Sequence, residues 1–190
     1  MQLFNSASTF LQGPIAFRHT YLDFQNITVS PQFSSTGSTA TTCVGALGDS
    51  FAAGTTDGPG AFNFVQGTNS SSTNPGWNRL GGILSKPTQQ DISCQYPKPI
   101  LLNIGDIRFP EHAPWSASVI PLQIFRLGQL FIIGVPGEFT TMSGRRLINQ
   151  VRNTLTQYGA ADVNSYFVIA GLSNEYIHYI TTPQEYSLIS

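Results

Sequence analysis

Glu138 is a carboxylate that lies between a predicted buried strand and a predicted helix. Glu138 follows the apolar run 130–135 and Pro136-Gly137, and a helical pattern begins a few residues later. A glutamate in such a position can ligate a metal ion or act as a general base. The structural alternative is a carboxylate that only satisfies backbone N–H groups at the start of the helix.

A second polar segment, residues 173–182, follows another apolar run and is rich in side chains that could do chemistry. These are Asn174, Glu175, Tyr176, His178 and Tyr179. His178 could be a metal ligand, but the histidines of the chain are far apart and form neither an HxH nor an HExxH pattern. Histidine spacing alone therefore predicts no metal site.

The elements that must position these segments are the most readable part of the chain. Residues 130–135 and 166–170 are short apolar runs ended by Pro-Gly and by Gly171, as expected of buried strands. Between them, apolar residues recur at helical spacing over 143–158, with Ser143 as the predicted N-cap and Gly159 just past the end. The pattern predicts a βαβ unit with two parallel strands. Ligands of such sheets bind beyond the carboxyl ends of the strands, where residues 136–142 and 173–182 lie.

The sequence of the N-terminal half predicts more loops than helices and strands. Residues 19–29 alternate as a strand does, whereas residues 30–42 and 68–76 are polar and read as surface loops. The chain has 18 Gly and 12 Pro. The predicted fold class is therefore α/β, a partial mixed sheet with a βαβ unit in the C-terminal third and a loop-rich N-terminal half.

Composition excludes several classes of protein. The 190 residues are 41% hydrophobic but only 10% charged, and the net charge is -1. So few charges exclude a coiled coil and a charged disordered tail, and the lack of clustered basic residues argues against nucleic acid as a partner. No apolar run approaches the roughly 18 residues of a membrane span. The first 17 residues lack the basic start and the long apolar stretch of a signal peptide.

The cysteines and two glycosylation sequons bear on the compartment in which the protein is found. Cys43 and Cys94 could form one disulfide in an oxidising compartment or remain two buried thiols. Asn26 and Asn69 begin Asn-x-Ser/Thr tripeptides, which mark glycosylation but also occur by chance. These features favour a secreted protein, whereas the N-terminus does not. The conflict disappears if the chain is a piece of something longer.

Three blocks of sequence carry a resemblance to a known family. They are GDSFAAGTTDGPG at residues 48–60, PGEFTTMSGRR at 136–146 and GLSNEYIHYITT at 171–182. All three resemble neutral ceramidases, and the likeness runs in the expected order from about His19 to Tyr186. Members of that family hydrolyse the amide of ceramide to sphingosine and a fatty acid.

The resemblance implies a zinc site held by two His, one Glu and one Tyr. The Glu of the Pro-Gly-Glu-Phe block would be Glu138, and the second Tyr of Tyr-x-x-Tyr would be Tyr179. An extended segment would point His178 away from Tyr179, so His178 is not expected to be a ligand. The resemblance also implies a Cys43–Cys94 disulfide, ceramide or a related sphingolipid at a membrane surface as partner, and a secreted or cell-surface location.

Departures from the family pattern limit what this chain is expected to do. The family's two His ligands and its serine nucleophile lie upstream of the matched region, so no catalytic residue is assigned here. Residues 103–108, Asn-Ile-Gly-Asp-Ile-Arg, look like the nucleophile block, but Arg108 stands in place of the Ser. We also expect no immunoglobulin-like C-terminal domain in this chain. We expect residues 1–190 to be a single partial domain of the catalytic region with an incomplete zinc site, inactive alone. The alternative is a fragment of a longer, active enzyme.

Overall fold

The computed structural model describes residues 2–34, 36–53, 58–62, 64, 75–96, 98–108, 110 and 112–189. The helices and strands, in chain order, are α1 (Gln2–Ser6), β1 (Ile15–Asp23), β2 (Thr28–Val29), β3 (Ala40–Thr41), β4 (Leu47–Gly48), α2 (Pro75–Leu84), α3 (Gln89–Gln95), β5 (Ile100–Leu102), β6 (Val119–Leu127), β7 (Leu130–Gly134), β8 (Glu138–Phe139), α4 (Thr141–Gln157), β9 (Tyr166–Ala170), β10 (Tyr179–Ile180) and α5 (Pro183–Ile189). The chain divides into two compact units, residues 1–21 with 121–180, and residues 22–120 with 181–190.

The first unit contains a mixed four-stranded sheet in the order β1-β6-β7-β9. Strands β6 and β7 are antiparallel, and β7 and β9 are parallel, paired from Leu130↔Tyr166 to Gly134↔Ala170. Helix α4 connects the parallel strands and packs against β9. The predicted α/β class, the mixed sheet and the βαβ unit are therefore confirmed.

Two stacked phenylalanines form the centre of this sheet's core. Phe131 and Phe167 are paired in register, and their ring centroids lie 5.0 Å apart with the planes within 9° of parallel. The guanidinium groups of Arg126 and Arg152 lie 5.2 and 5.1 Å from the two ring centroids. Both rings are buried, whereas Tyr166 and Val168 on the other face of β9 are 51% and 45% exposed, so only one face of this strand lies in the core.

The N-cap of helix α4 lies three residues before the predicted one. Its N-cap is Thr140, whose side-chain oxygen accepts a hydrogen bond from the Ser143 backbone N–H. The prediction of Ser143 as N-cap was therefore wrong, because Ser143 lies inside the first turn. At the other end, Gly159 has φ +67°, the left-handed conformation that lets a chain leave a helix.

The second unit is built from short elements and loops around an apolar cluster. Strands β4 and β5 pair antiparallel, α2 packs on β5, and Leu101, Ile104 and Ile107 are buried. Cys43 and Cys94 are joined by a disulfide. The predicted strand at 19–29 overlaps β1, but a turn at Asn26, with φ 59°, separates β1 from β2.

Segment 103–108, whose likeness to the nucleophile block we interpret as coincidence, has a structural role in this unit. Asn103 is 1% exposed, and its side-chain amide donates a hydrogen bond of 2.9 Å to Asp106 Oδ2 across a turn. Directly after β5, the segment buries Asn103, Ile104 and Ile107, whereas Asp106 and Arg108 are exposed. Within the part of the chain that the structure describes, no helix is long and apolar enough to cross a membrane.

Candidate functional site

Glu138 and Tyr179 lie opposite each other on two short parallel strands of the first unit. Strand β8 follows β7 after a buried three-residue connection, and β10 follows β9 after an eight-residue loop. The register of the β8–β10 pair is Tyr179↔Glu138 and Ile180↔Phe139. Residues paired directly across neighbouring strands project to the same face, so the carboxylate and the phenol share one face beyond the βαβ unit.

A glycine allows these strands to approach. A Cβ atom on Gly137 would lie 2.7 Å from Ile180 Cδ1 and 3.0 Å from the His178 carbonyl oxygen. The adjacent Glu138 N–H donates to that carbonyl over 2.9 Å. A side chain at position 137 would displace the Ile180 side chain and crowd the His178 carbonyl that accepts from Glu138.

The loop that carries the tyrosines has an unusual backbone. Leu172, Asn174 and His178 all have positive φ, at 56°, 66° and 63°. Non-glycine residues rarely adopt this conformation, and surrounding contacts must hold it. Backbone bonds do so here: Ser173 N–H donates to the Val135 carbonyl over 3.0 Å, and Ile177 N–H donates to the Pro136 carbonyl over 2.8 Å.

The left-handed turn at His178 corrects one expectation. The segment is not extended at His178, because β10 begins only at Tyr179. The imidazole lies beside Tyr176, with 5.0 Å between ring centroids. The reason given for excluding His178, an extended backbone that alternates its side chains, therefore does not apply.

A second tyrosine binds the glutamate directly. Tyr176 Oη donates a hydrogen bond of 2.6 Å to Glu138 Oε1. This bond, with smaller contributions from burial and the neighbouring charges, raises the pKa of Tyr176 to about 12. The charge of Glu138, together with a hydrogen bond to it, also raises the pKa of Tyr179. Both phenols are therefore protonated at neutral pH, and each can donate its hydroxyl hydrogen.

Glu138 does not serve merely to satisfy the backbone N–H groups at the start of α4. The start of α4 is capped by Thr140, and the Glu138 carboxylate accepts its hydrogen bond from Tyr176. Sequence reasoning missed Tyr176 as a member of the site. The Tyr-x-x-Tyr spacing was the available signal, but it was used only to choose between the two tyrosines.

The donor set fits part of a zinc site. Glu138 supplies a carboxylate oxygen and Tyr179 a phenol oxygen on one face, and carboxylates are established zinc ligands. Among the described residues, no group of three or more His, Cys, Asp or Glu side chains is placed to hold a metal ion. The pair thus provides two oxygen donors, fewer than the three or four protein ligands of a zinc site.

The predicted modification sites fall in different parts of the chain. Asn26 is exposed, in the turn before β2. Asn69 lies outside the described residues.

Comparison with known proteins shows the family. Residues 1–189 match the family model for the neutral/alkaline non-lysosomal ceramidase, N-terminal region. The chain is 52% identical over 188 residues to neutral ceramidase B of Dictyostelium discoideum, covering 99% of this chain and 25% of that protein. It is 46% identical over 191 residues to neutral ceramidase 1 of Arabidopsis thaliana, covering 99% and 24%.

Solved structures agree with the sequence matches. The structure described as "Ceramidase complexed with C2" has a TM-score of 0.71 and 34% identity, over 93% of this chain and 26% of that one. Neutral ceramidase from Pseudomonas aeruginosa has a TM-score of 0.66 and 30% identity, over 93% and 24%. The chain spans about a quarter of the length of the relatives it matches. It belongs to the neutral/alkaline non-lysosomal ceramidase family.

Proposed function

We propose that this chain contributes Glu138 and Tyr179 as two ligands of the zinc site of a ceramide-hydrolysing enzyme. The observation that carries the proposal is the direct pairing of these residues across β8 and β10. Zinc, when bound, would polarise the amide carbonyl of the substrate or activate a nucleophile. The protein's own contribution is to hold two oxygen donors on one face, with the Glu138 backbone fixed by its bond to His178.

We also propose that the 190-residue chain does not hydrolyse ceramide by itself. Its sequence has no residues that match the family's histidine ligands or serine nucleophile, and two ligands hold zinc weakly. The second candidate is that these residues act within a longer, active enzyme. The share of the relatives that the chain spans, about a quarter, favours that candidate.

The proposal extends to the substrate and the compartment. The relatives are named neutral ceramidases, so the substrate class is ceramide or a related sphingolipid, met at a membrane surface. Disulfides persist in oxidising compartments, and the Cys43–Cys94 bond supports a secreted or cell-surface location.

Two assays of sphingosine release separate these proposals. In the first, the purified chain is incubated with ceramide, with and without zinc, beside its Glu138→Ala variant. We expect no release above background from either protein. Zinc-dependent release that disappears in Glu138→Ala would refute the proposal that the chain is inactive alone.

In the second assay, the chain replaces the matching quarter of the Dictyostelium neutral ceramidase B. We expect zinc-dependent hydrolysis by this chimera and its loss in Glu138→Gln and Tyr179→Phe. Tyr158→Phe is the matched control, because Tyr158 is exposed at the end of α4. An active chimera that tolerates both ligand substitutions would exclude Glu138 and Tyr179 from the site.

A further inference from the structure

The strongest unexplained contact in the site joins a tyrosine to the candidate metal ligand. Tyr176 Oη donates to Glu138 Oε1 over 2.6 Å, between residues 38 positions apart in the chain. A hydrogen bond to an ionised acceptor is roughly twice as strong as one between neutral groups. Tyr176 is not part of the in-register pair of Glu138 and Tyr179. Its hydroxyl group donates its one hydrogen to the Glu138 carboxylate.

Backbone contacts set the position of Tyr176. The next residue, Ile177, donates its N–H to the Pro136 carbonyl over 2.8 Å, and the His178 carbonyl accepts from the Glu138 N–H over 2.9 Å. The Tyr176 N–H donates to Glu175 Oε1 over 3.1 Å. The segment that follows the tyrosine is thus bonded to the segment that carries Glu138, which places the hydroxyl beside the carboxylate.

We propose that Tyr176 is a positioning residue that holds the Glu138 carboxylate in one orientation beside Tyr179. A free glutamate side chain rotates about several bonds, and fixing it in advance removes an entropy cost from metal binding. Carboxylates that ligate metals are themselves hydrogen-bonded, and losing such a partner typically lowers metal affinity about 10–100-fold. The importance of this orientation for metal binding rests on the proposed function, in which Glu138 is a ligand.

Packing is the competing explanation for Tyr176, and its exposure argues against it. The side chain is 42% exposed, so its ring covers little of the core. The ring does lie 5.0 Å from the His178 ring, and phenylalanine would preserve that contact. Tyr176→Phe therefore removes the hydroxyl and leaves the ring, whereas Tyr176→Leu removes both.

The test uses the 190-residue chain and two measurements by NMR. The first is the ¹³C chemical shift of the Glu138 carboxyl carbon without metal, which reports the hydrogen bond. The second is a zinc titration followed by the backbone amide signals of Glu138 and Tyr179. Tyr158→Phe is the matched control, because Tyr158 is 79% exposed at the end of α4.

We expect Tyr176→Phe to shift the carboxyl resonance and to weaken zinc binding about 10–100-fold. Tyr176→Leu should behave like Tyr176→Phe, and Tyr158→Phe like the unsubstituted chain. An unchanged carboxyl resonance in Tyr176→Phe overturns the proposal. So does a defect in Tyr176→Leu that Tyr176→Phe lacks, because the ring would then be what matters. Absence of zinc-induced shifts in the unsubstituted chain would agree with the weak binding expected of two ligands. The carboxyl resonance then decides alone whether Tyr176 holds Glu138, and the chimera assay tests the proposed function separately.

Discussion

Ser143 Oγ lies 2.5 Å from the backbone carbonyl oxygen of Ile180 and donates a hydrogen bond to it. The serine is in the first turn of α4, and Ile180 directly follows Tyr179 in β10. The same carbonyl accepts from the Thr140 N–H over 3.1 Å. The start of the helix therefore holds the strand that carries Tyr179.

Replacing Ser143 by alanine should destabilise this connection. Ser143 is buried, and the Ile180 carbonyl would keep only its bond from Thr140. We expect Ser143→Ala to lower the free energy of unfolding by about 1 kcal/mol, the net value of one hydrogen bond. Urea unfolding measures the change. Thr156→Ala, at an exposed position of the same helix, should stay within about 0.5 kcal/mol. Equal effects of the two substitutions would contradict the role given to Ser143.

The βαβ unit could be predicted from sequence because its signals are long. The strands give five-residue apolar runs, and the helix gives four turns of apolar residues at helical spacing. Both patterns can be read in the sequence because the side chains that face the core must be apolar. The N-cap was missed because Thr140, Thr141 and Ser143 are all residue types that cap helices. Choosing among them requires the tertiary contact of Ser143 with Ile180, which local sequence does not encode.

The details of the site could not be derived from periodicity. Strands β8 and β10 have two residues each, too short to produce an alternating pattern. Of the left-handed positions Leu172, Asn174 and His178, only Asn174 is a residue type that marks turns, so the sequence does not predict the conformation of the whole loop. Glu138 and Tyr179 were paired through the family resemblance, and the contact of Tyr176 with Glu138 depends on that loop conformation.

A buried carboxylate in the second unit should make stability depend on pH. Asp49 is 2% exposed, its Oδ1 has no hydrogen-bond partner within the described residues, and burial raises its pKa above the usual 3.8. A raised pKa in the folded state means that this group stabilises the fold most below its unfolded pKa. That contribution is lost as the pH rises through the folded value.

Asp49→Asn should remove this pH dependence. The variant should melt at a higher temperature than the unsubstituted chain at pH 7. This gain should shrink as the pH falls through the raised pKa of the folded state and should be gone below the unfolded pKa, at about pH 4. Thermal unfolding monitored by circular dichroism from pH 3 to 8 measures it. Asp23→Asn, at an exposed position, serves as control and should show no such trend. A gain that is constant with pH would show that ionisation of Asp49 is not its cause.

The disulfide should contribute strongly to the stability of the second unit. Cys43 and Cys94 are 51 positions apart, and closing a loop of that length stabilises a fold by about 4 kcal/mol through the entropy of the unfolded chain. We expect the double variant Cys43→Ser/Cys94→Ser to lose about this much in denaturant unfolding. Reduction of the unsubstituted chain should reproduce the loss, whereas the double variant should not respond to reductant. A double variant as stable as the oxidised chain would contradict this account.

Asn26 should carry a glycan when the chain is made in the secretory pathway of a eukaryotic cell. It lies exposed in the turn between β1 and β2, and Thr28, two residues on, is also exposed, so both sequon side chains are accessible. We expect the chain, expressed behind a secretion leader, to migrate faster after enzymatic removal of N-glycans.

Asn26→Gln and Thr28→Ala should each remove one glycan, because the transfer requires both side chains. Ile27→Val keeps the sequon and should keep the glycan, and Asn69→Gln tests the second sequon independently. If Asn26→Gln migrates with the unsubstituted chain before and after deglycosylation, Asn26 is not modified.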